Sequence, residues 1–392
     1  MTAGTYVQIS RSQQAFILAL LPPEIDLDLD VINALSAADR AVGALSSLGS
    51  ALPYAHLLIQ PFLAKEAVAS SRIEGMEADF GQLAFFNETE FSSADDDVRE
   101  TSNYLKALNY GLSAIQYRPV SLGLLKEMHA ILLEGVRGEH TKRGEFRSIQ
   151  NYIGNRSDRI DQARYVPPPP LALTELLENL QAYIQNPPNM PPLVCLAIAH
   201  YQFEAIHPFV DGNGRLGRLL ISLLLSTWNI LPQPLLYLSA YFEQHRDEYL
   251  DGLLRVSTDS AWKSWIIFVL GALKEQCDDA LLTSRRLTSL REDHRERYQK
   301  GRSAWILLAI DLLFERPVIT VSRIARSLNI TYPTAMSIVT TLERDGVLTE
   351  TTGNRRNRVY GATEIFNVLL SDMPEPERSE RRDSGARTSW AG

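Results

Sequence analysis

The sequence predicts a mainly α-helical protein that ends in a small winged helix-turn-helix unit. Three observations point there. Apolar residues recur at three- and four-residue spacing through most of the chain, no alternation of strands with helices suggests a parallel sheet, and the C-terminal stretch passes through helices into a basic hairpin. No internal repeat is present. At 392 residues the chain is too long for one compact core of the usual size, so two or three units are expected.

The elements follow in order. Phe16–Leu21 is short, lacks a basic leader and runs into Pro22-Pro23, so it does not read as a signal peptide. Helical spacing then covers Val31–Leu48, Leu57–Ala69, Thr101–Ile115 and Leu122–Leu133. Asp95-Asp96-Asp97, after Ser92-Ser93, reads as a solvated loop that places acids at the next helix start. Thr141–Pro170 is rich in Gly, Asn, Arg and Pro and ends in four consecutive prolines. It is too long for a plain connector and is expected to be a functional loop or hairpin. Helical spacing returns over Leu171–Ile184, Leu193–Ala205, Leu216–Trp228 and Trp262–Leu273.

A charged helical stretch, Ser284–Arg302, separates this body from the last unit. There Ala304–Phe314, Thr320–Leu328 and Pro333–Asp345 read as helices, and Val347–Thr351 and Arg358–Gly361 as strands around Gly353-Asn354-Arg355-Arg356-Asn357. Eight arginines against five acids from Gly301 to Gly361 give only +3, thin for tight DNA binding. Whether the unit holds DNA, a protein or a second copy in a homodimer is left open. From Pro374 on, little could be buried and a disordered tail is expected. The expected division is 1–115 N-terminal helical region, 116–240 core, 241–300 helical extension and linker, 301–365 winged unit, and 366–392 tail.

Composition bounds the function. Hydrophobic residues at 45% and charged residues at 22% are those of an ordinary globular protein, and a net charge of −8 argues against one that coats nucleic acid. No apolar run is long enough to span a bilayer. The two cysteines, Cys195 and Cys277, each lie in an apolar helical pattern and read as buried thiols, which suits a reducing, cytoplasmic setting.

The chemistry is concentrated in His207-Pro208-Phe209-Val210-Asp211-Gly212-Asn213-Gly214-Arg215-Leu216-Gly217-Arg218. A helix ending near Ala205 delivers His207 into a loop, and a new helix begins near Gly214. Leu216, Leu219, Leu220, Leu223 and Leu224 form its buried face. Arg215 and Arg218 share another face at the helix start, where the macrodipole is already positive. Two arginines belong there if an anion stands in front of the helix. Gly212 and Gly214 let backbone amides turn inward as an anion nest, and Asn213 adds an amide donor. Asp211 beside phosphates is how a protein usually holds Mg²⁺, and His207 can take a proton near neutral pH. The set points to phosphoryl or nucleotidyl transfer.

At every specified position this string resembles the signature of the Fic (filamentation-induced-by-cAMP) family, His-x-Phe-x-Asp/Glu-Gly-Asn-Gly-Arg-x-x-Arg. The resemblance implies a Fic-type helical bundle with a β-hairpin flap, and transfer of AMP from MgATP to a protein hydroxyl with release of pyrophosphate. By the match His207 is the base, Asp211 binds Mg²⁺, and Asn213 with the amides of Gly212 and Gly214 holds the α- and β-phosphates. Arg215 contacts the phosphates, Arg218 holds the γ-phosphate, and Phe209 anchors the loop. Thr141–Pro170, with Gly144-Glu145-Phe146-Arg147 and Tyr165-Val166-Pro167-Pro168-Pro169, resembles the flap that pairs with the target segment by strand addition. The resemblance runs from Leu21-Pro22-Pro23 to about Ala240.

Ser70-Ser71-Arg72-Ile73-Glu74-Gly75 resembles the family's inhibitory pattern, Ser/Thr-x-x-x-Glu-Gly/Asn. Ser70 and Glu74 lie four apart on one helical face, and Gly75 is a natural helix stop. The match implies that Glu74 pairs with Arg218 and competes with the γ-phosphate. The partners implied are ATP, Mg²⁺ and a target protein carrying the acceptor hydroxyl, with self-modification among the targets and no membrane. Alternatives remain: the same site could remove AMP, with Glu74 orienting a water, or a transcription regulator could use it only to sense nucleotide. Transfer of phosphocholine or phosphate is a further variant.

Overall fold

The computed structural model describes residues 2–10, 13–89, 95–136, 142–155, 160–299, 304–371 and 388–389. It opens on strands that the apolar spacing does not announce. β1 (Gly4–Ser10) and β2 (Gln13–Leu18) pair antiparallel, a hairpin to which the sequence reading assigned no element. β2 buries Ala15, Phe16 and Leu18 in a short run without strict alternation, and such a run does not separate strand from helix.

Five helices follow. α1 (Leu29–Ala51) starts at Asp28, whose carboxylate accepts from the amides of Asp30 and Val31. α2 (His56–Ile73) ends at Glu74, and Gly75 turns the chain with φ +81°. α3 (Phe80–Thr89) leads to α4 (Asp96–Ala114), which Asp95 caps, with Asp96 and Asp97 in the first turn. Ser92 and Ser93 lie outside the described residues. α5 (Leu122–Leu132) is capped by Ser121.

The stretch expected as a flap is described at 142–155 and 160–170. A bridge joins Ile153 to Tyr165, and β3 (Gly154–Asn155) pairs with β7 (Thr388–Ser389). Behind it stand α6 (Leu173–Gln185), α7 (Pro192–Ile206) and α8 (Asn213–Thr227). α7 is buried from Leu193 to Ile206, so it is the central helix. The expected leucine face of α8 (Leu216, Leu219, Leu220, Leu223 and Leu224) is fully buried. α9 (Ser239–Gln244) and α10 (Arg246–Asp259) close the body.

α11 (Trp262–Gln299) bears out the expected helical character of Ser284 to Gln299, which continues without a break from the helix begun at Trp262 in one 38-residue helix. Ala280, Thr283, Ser284, Leu287, His294 and Tyr298 carry the buried stripe, and α1 packs along the helix. Small and polar residues form much of that stripe, so its apolar period was faint.

The last unit comprises α12 (Ala304–Glu315), β4 (Val318–Thr320), α13 (Val321–Ser327), α14 (Tyr332–Arg344), β5 (Thr349–Glu350), β6 (Val359–Gly361) and α15 (Thr363–Leu370). Its three strands form an antiparallel sheet in the order β4-β6-β5. α15 occupies the start of the stretch expected as tail, burying Ile365 and Leu369 one turn apart. Of the remaining tail only 388–389 is described. Asp311 receives Arg291 Nε at 2.8 Å and Arg295 Nη1 at 2.7 Å, which fastens α12 to α11. Glu88 of α3 accepts from Thr320 N, Thr320 Oγ1 and Arg323 Nε at 3.0, 2.8 and 3.2 Å, tying the unit to the segment that follows α2. No described helix is long and apolar enough to cross a membrane.

Candidate active site

α7 ends where His207 adopts a left-handed conformation, φ 49° and ψ 61°, and Pro208 forbids a further helical turn. The imidazole is fully buried. Its Nδ1 lies 3.2 Å from the Glu204 carbonyl oxygen, which can only accept, so Nδ1 carries the proton and Nε2 the lone pair. That is the tautomer a proton acceptor needs.

The loop after His207 is braced from within. Asn213 Oδ1 accepts from Phe209 N at 2.8 Å, and Asn213 Nδ2 donates to Phe209 O at 2.9 Å. The amide expected to face phosphate is thus committed to loop shape in this structure. Gly212 (φ +76°) donates its N–H to Asp211 Oδ1 at 2.6 Å. Phe209 stacks on His129, ring centres 3.8 Å apart, and lies 5.1 Å from Phe146.

His129 escaped the sequence reading. Its Nδ1 accepts from Gly144 N at 2.9 Å, so its Nε2 carries the proton and donates to Asp211 O at 2.9 Å. Burial pushes this imidazole down to about 4, and it stays neutral at physiological pH. One ring therefore orients the Asp211 peptide and the root of the flap.

The two arginines that the spacing puts on one face diverge. Arg215 Nη1 donates to Glu100 Oε2 at 2.8 Å, both side chains buried, and so braces α8 against α4. Glu100 lies 115 residues away in sequence, which spacing within the motif cannot reveal. Arg218 turns to α2: Nε donates to Ser70 Oγ at 2.8 Å, and Nη2 to Ser70 O at 3.0 Å and Glu74 Oε1 at 2.6 Å. Glu74 arrives over Gly214, where a Cβ would stand 2.6 Å from the carboxylate oxygen. Space beside Glu74, Glu204, Gly214, Arg218, Arg246 and Tyr249 amounts to ≈ 10 Å³, the limit for a single water.

Residues 119–225 match the Fic/DOC family and residues 32–113 its N-terminal region. The chain carries a Fic/DOC domain preceded by that family's N-terminal region. The protein adenylyltransferase Fic of Drosophila ananassae is 31% identical over 159 residues, 39% of this chain and 30% of that protein. Protein adenylyltransferase fic-1 of Caenorhabditis briggsae is 28% identical over 161 residues, 39% of this chain and 30% of its own. The chain thus spans under a third of the length of these curated relatives. A Fic family protein from Desulfovibrio desulfuricans G20 has the same fold, with TM-score 0.56 at 21% identity over 87% of this chain and 98% of its own. Fic-1 from C. elegans gives 0.51 at 20% identity over 65% and 74%.

Glu204 adds a second carboxyl to this Fic site, 1% exposed and facing Arg218 from α7. Burial pushes it up to about 8, with Arg218 pulling down and Glu74 pushing up. The folded chain then keeps a proton that the unfolded chain releases near its ordinary value of about 4.3. Stability present below that value is lost as pH rises through about 8. Glu204→Gln cannot ionise, so between about pH 5 and about pH 8 its melting temperature should fall less steeply than the parent's. Calorimetry across that range checks this, and parallel slopes would refute it.

Proposed function

We propose that this chain transfers AMP from ATP to a hydroxyl side chain of a target protein, and that Glu74 holds it inactive until withdrawn. The Glu74–Arg218 pair carries the reading: an acid from another helix sits on the guanidinium at a helix start suited to an anion. The relatives named above, called protein adenylyltransferases, support the choice of AMP as the group transferred.

The residues suit the step. The target oxygen bonds to the α-phosphorus, the bond from that phosphorus to the β-bridging oxygen breaks, and pyrophosphate leaves. The hydroxyl proton passes to Nε2 of His207. Glycine at 212 and 214 and the dipole of α8 suit phosphate oxygens in front of the helix. Asp211 is a single, partly exposed carboxylate, and no cluster of three or more His, Cys, Asp or Glu ligands occurs among the described residues. That fits Mg²⁺, which draws most of its ligands from substrate phosphates and water. When bound, the ion offsets charge on the departing pyrophosphate. The target is a protein segment laid against the flap, and self-modification is the case where that segment belongs to this chain. Cys195 and Cys277 are both buried and form no disulfide, which suits a cytoplasmic setting.

Glu74→Gly should raise transfer of label from α-labelled ATP, including self-modification, well above the parent level. His207→Ala added to it should cancel the gain by about a hundred- to ten-thousand-fold. Unchanged or lower transfer in folded Glu74→Gly would make Glu74 an ordinary helix end. Loss of label from a pre-modified protein in the same assay would reverse the assigned direction.

A second role is favoured by one observation. Arg355, Arg356 and Arg358 line a cleft of ≈ 450 Å³ with Tyr332 and Met336 of α14. Arg355 and Arg356 pair with no carboxylate among the described residues. We propose that this winged unit meets the DNA backbone there. Replacing Arg355 and Arg356 by Glu should abolish salt-dependent retention of the whole chain on DNA and leave transfer unchanged. Absence of any such retention in the parent chain would reduce the unit to a protein-contact module.

A further inference from the structure

The flap is fastened to the loop that bears His207 through that loop's main chain. From Ala205 to Phe209 each successive carbonyl oxygen accepts from the flap. Tyr165 Oη donates to Ala205 O at 2.9 Å, Arg147 Nη2 to Ile206 O at 3.3 Å and Arg147 Nε to His207 O at 2.8 Å. The Arg147 amide donates to Pro208 O at 2.9 Å, and Asn151 Nδ2 to Phe209 O at 3.1 Å. Arg147 Nη2 also donates to Pro168 O at 2.6 Å and Nη1 to Ile149 O at 3.2 Å, so one guanidinium binds both legs of the flap to each other.

The physical setting makes Arg147 unusual. It is 4% exposed, and no carboxylate pairs with it among the described residues. Its charge is met by main-chain carbonyls, among them the last ones of α7, which have no helical partner and form the negative end of the helix. His207, whose carbonyl it holds, sits in a left-handed conformation that a non-glycine residue adopts only under constraint. Lysine could not replace it, because one ammonium cannot fork across the carbonyls of Ile149, Pro168, Ile206 and His207.

We infer that Arg147 is a positioning residue that makes the target-binding flap and the base-bearing loop one rigid body. The register of the target segment and the place of the imidazole are then set by the same guanidinium. A flap displaced by a poorly fitting target would carry the base with it. This rests on the transfer reading above, and it separates Arg147 from nucleotide binding, since Arg218 and Asp211 hold other partners.

The test uses the full chain carrying Glu74→Gly as parent. Arg147→Lys should cut transfer to protein by about a hundredfold, the cost of misplacing a reacting group by about 1 Å, while ATP affinity stays within a few-fold. Arg147→Ala should lose as much and regain part of it with methylguanidine at sub-denaturing concentration, but none with methylamine. Transfer by Arg147→Lys near the parent level, or a loss matched by lost ATP affinity, would overturn the inference. Should these variants not fold, Tyr165→Phe removes the hydroxyl that donates to Ala205 O and leaves Arg147 in place. A drop of up to about tenfold at unchanged ATP affinity supports the inference, and parent-level transfer overturns it. A parent that transfers nothing would overturn the transfer reading, and this inference with it.

Discussion

The ion pair between Glu74 and Arg218 is the contact on which the site's arrangement depends. Its side chains are 8% and 2% exposed, so it is screened little by water or salt. Breaking such a pair by removing one partner costs about 3–5 kcal/mol, because a buried charge is left behind. An anion beside Arg218 is therefore strongly favoured. The carboxylate of Glu74 supplies one in this structure, and in the proposed reaction a phosphate of ATP would supply it instead. In the proposed mechanism, exchange of one anion for the other would switch the site.

Several otherwise unrelated features serve that contact. α2 must stop at Glu74, which Gly75 ensures by taking φ +81°. Gly214 must lack a side chain so that the carboxylate can pass over the helix start. Ser70 holds two of the guanidinium nitrogens through its hydroxyl and carbonyl, so Arg218 is aimed before Glu74 or phosphate arrives. Arg215, which shares the helix start, is occupied by Glu100 and fixes α8 in place. α3 follows directly on this latch, and its Glu88 is held by Thr320 and Arg323 of the C-terminal unit. The segment that follows Glu74 is thus in direct contact with the C-terminal unit.

Much of this was legible in the residues, and the rest was not for definite reasons. The order of residues from His207 to Arg218 exposed the loop, the helix start and its leucine face because all three are local. The four-residue spacing of Ser70 and Glu74 placed both on the side that meets Arg218. Glu100, Glu204, His129 and Arg147 were missed as functional groups because their partners are distant in sequence or are main-chain carbonyls, which carry no sequence signal. The first hairpin was missed because its apolar residues form a short run. The second half of α11 looked like a helical linker because Thr283, Ser284 and His294 do buried work that apolar periodicity does not register.

The central claim is that Glu74 occupies the guanidinium needed by the γ-phosphate, and comparing ATP with ADP isolates that one group. Calorimetric affinities of both nucleotides, with Mg²⁺, would be measured for the parent chain and for Glu74→Gly. The account predicts that the parent binds ATP no tighter than ADP, and that in Glu74→Gly the ratio rises in favour of ATP by about tenfold or more, the worth of one charge-assisted contact. An ATP-to-ADP ratio unchanged by Glu74→Gly would contradict it.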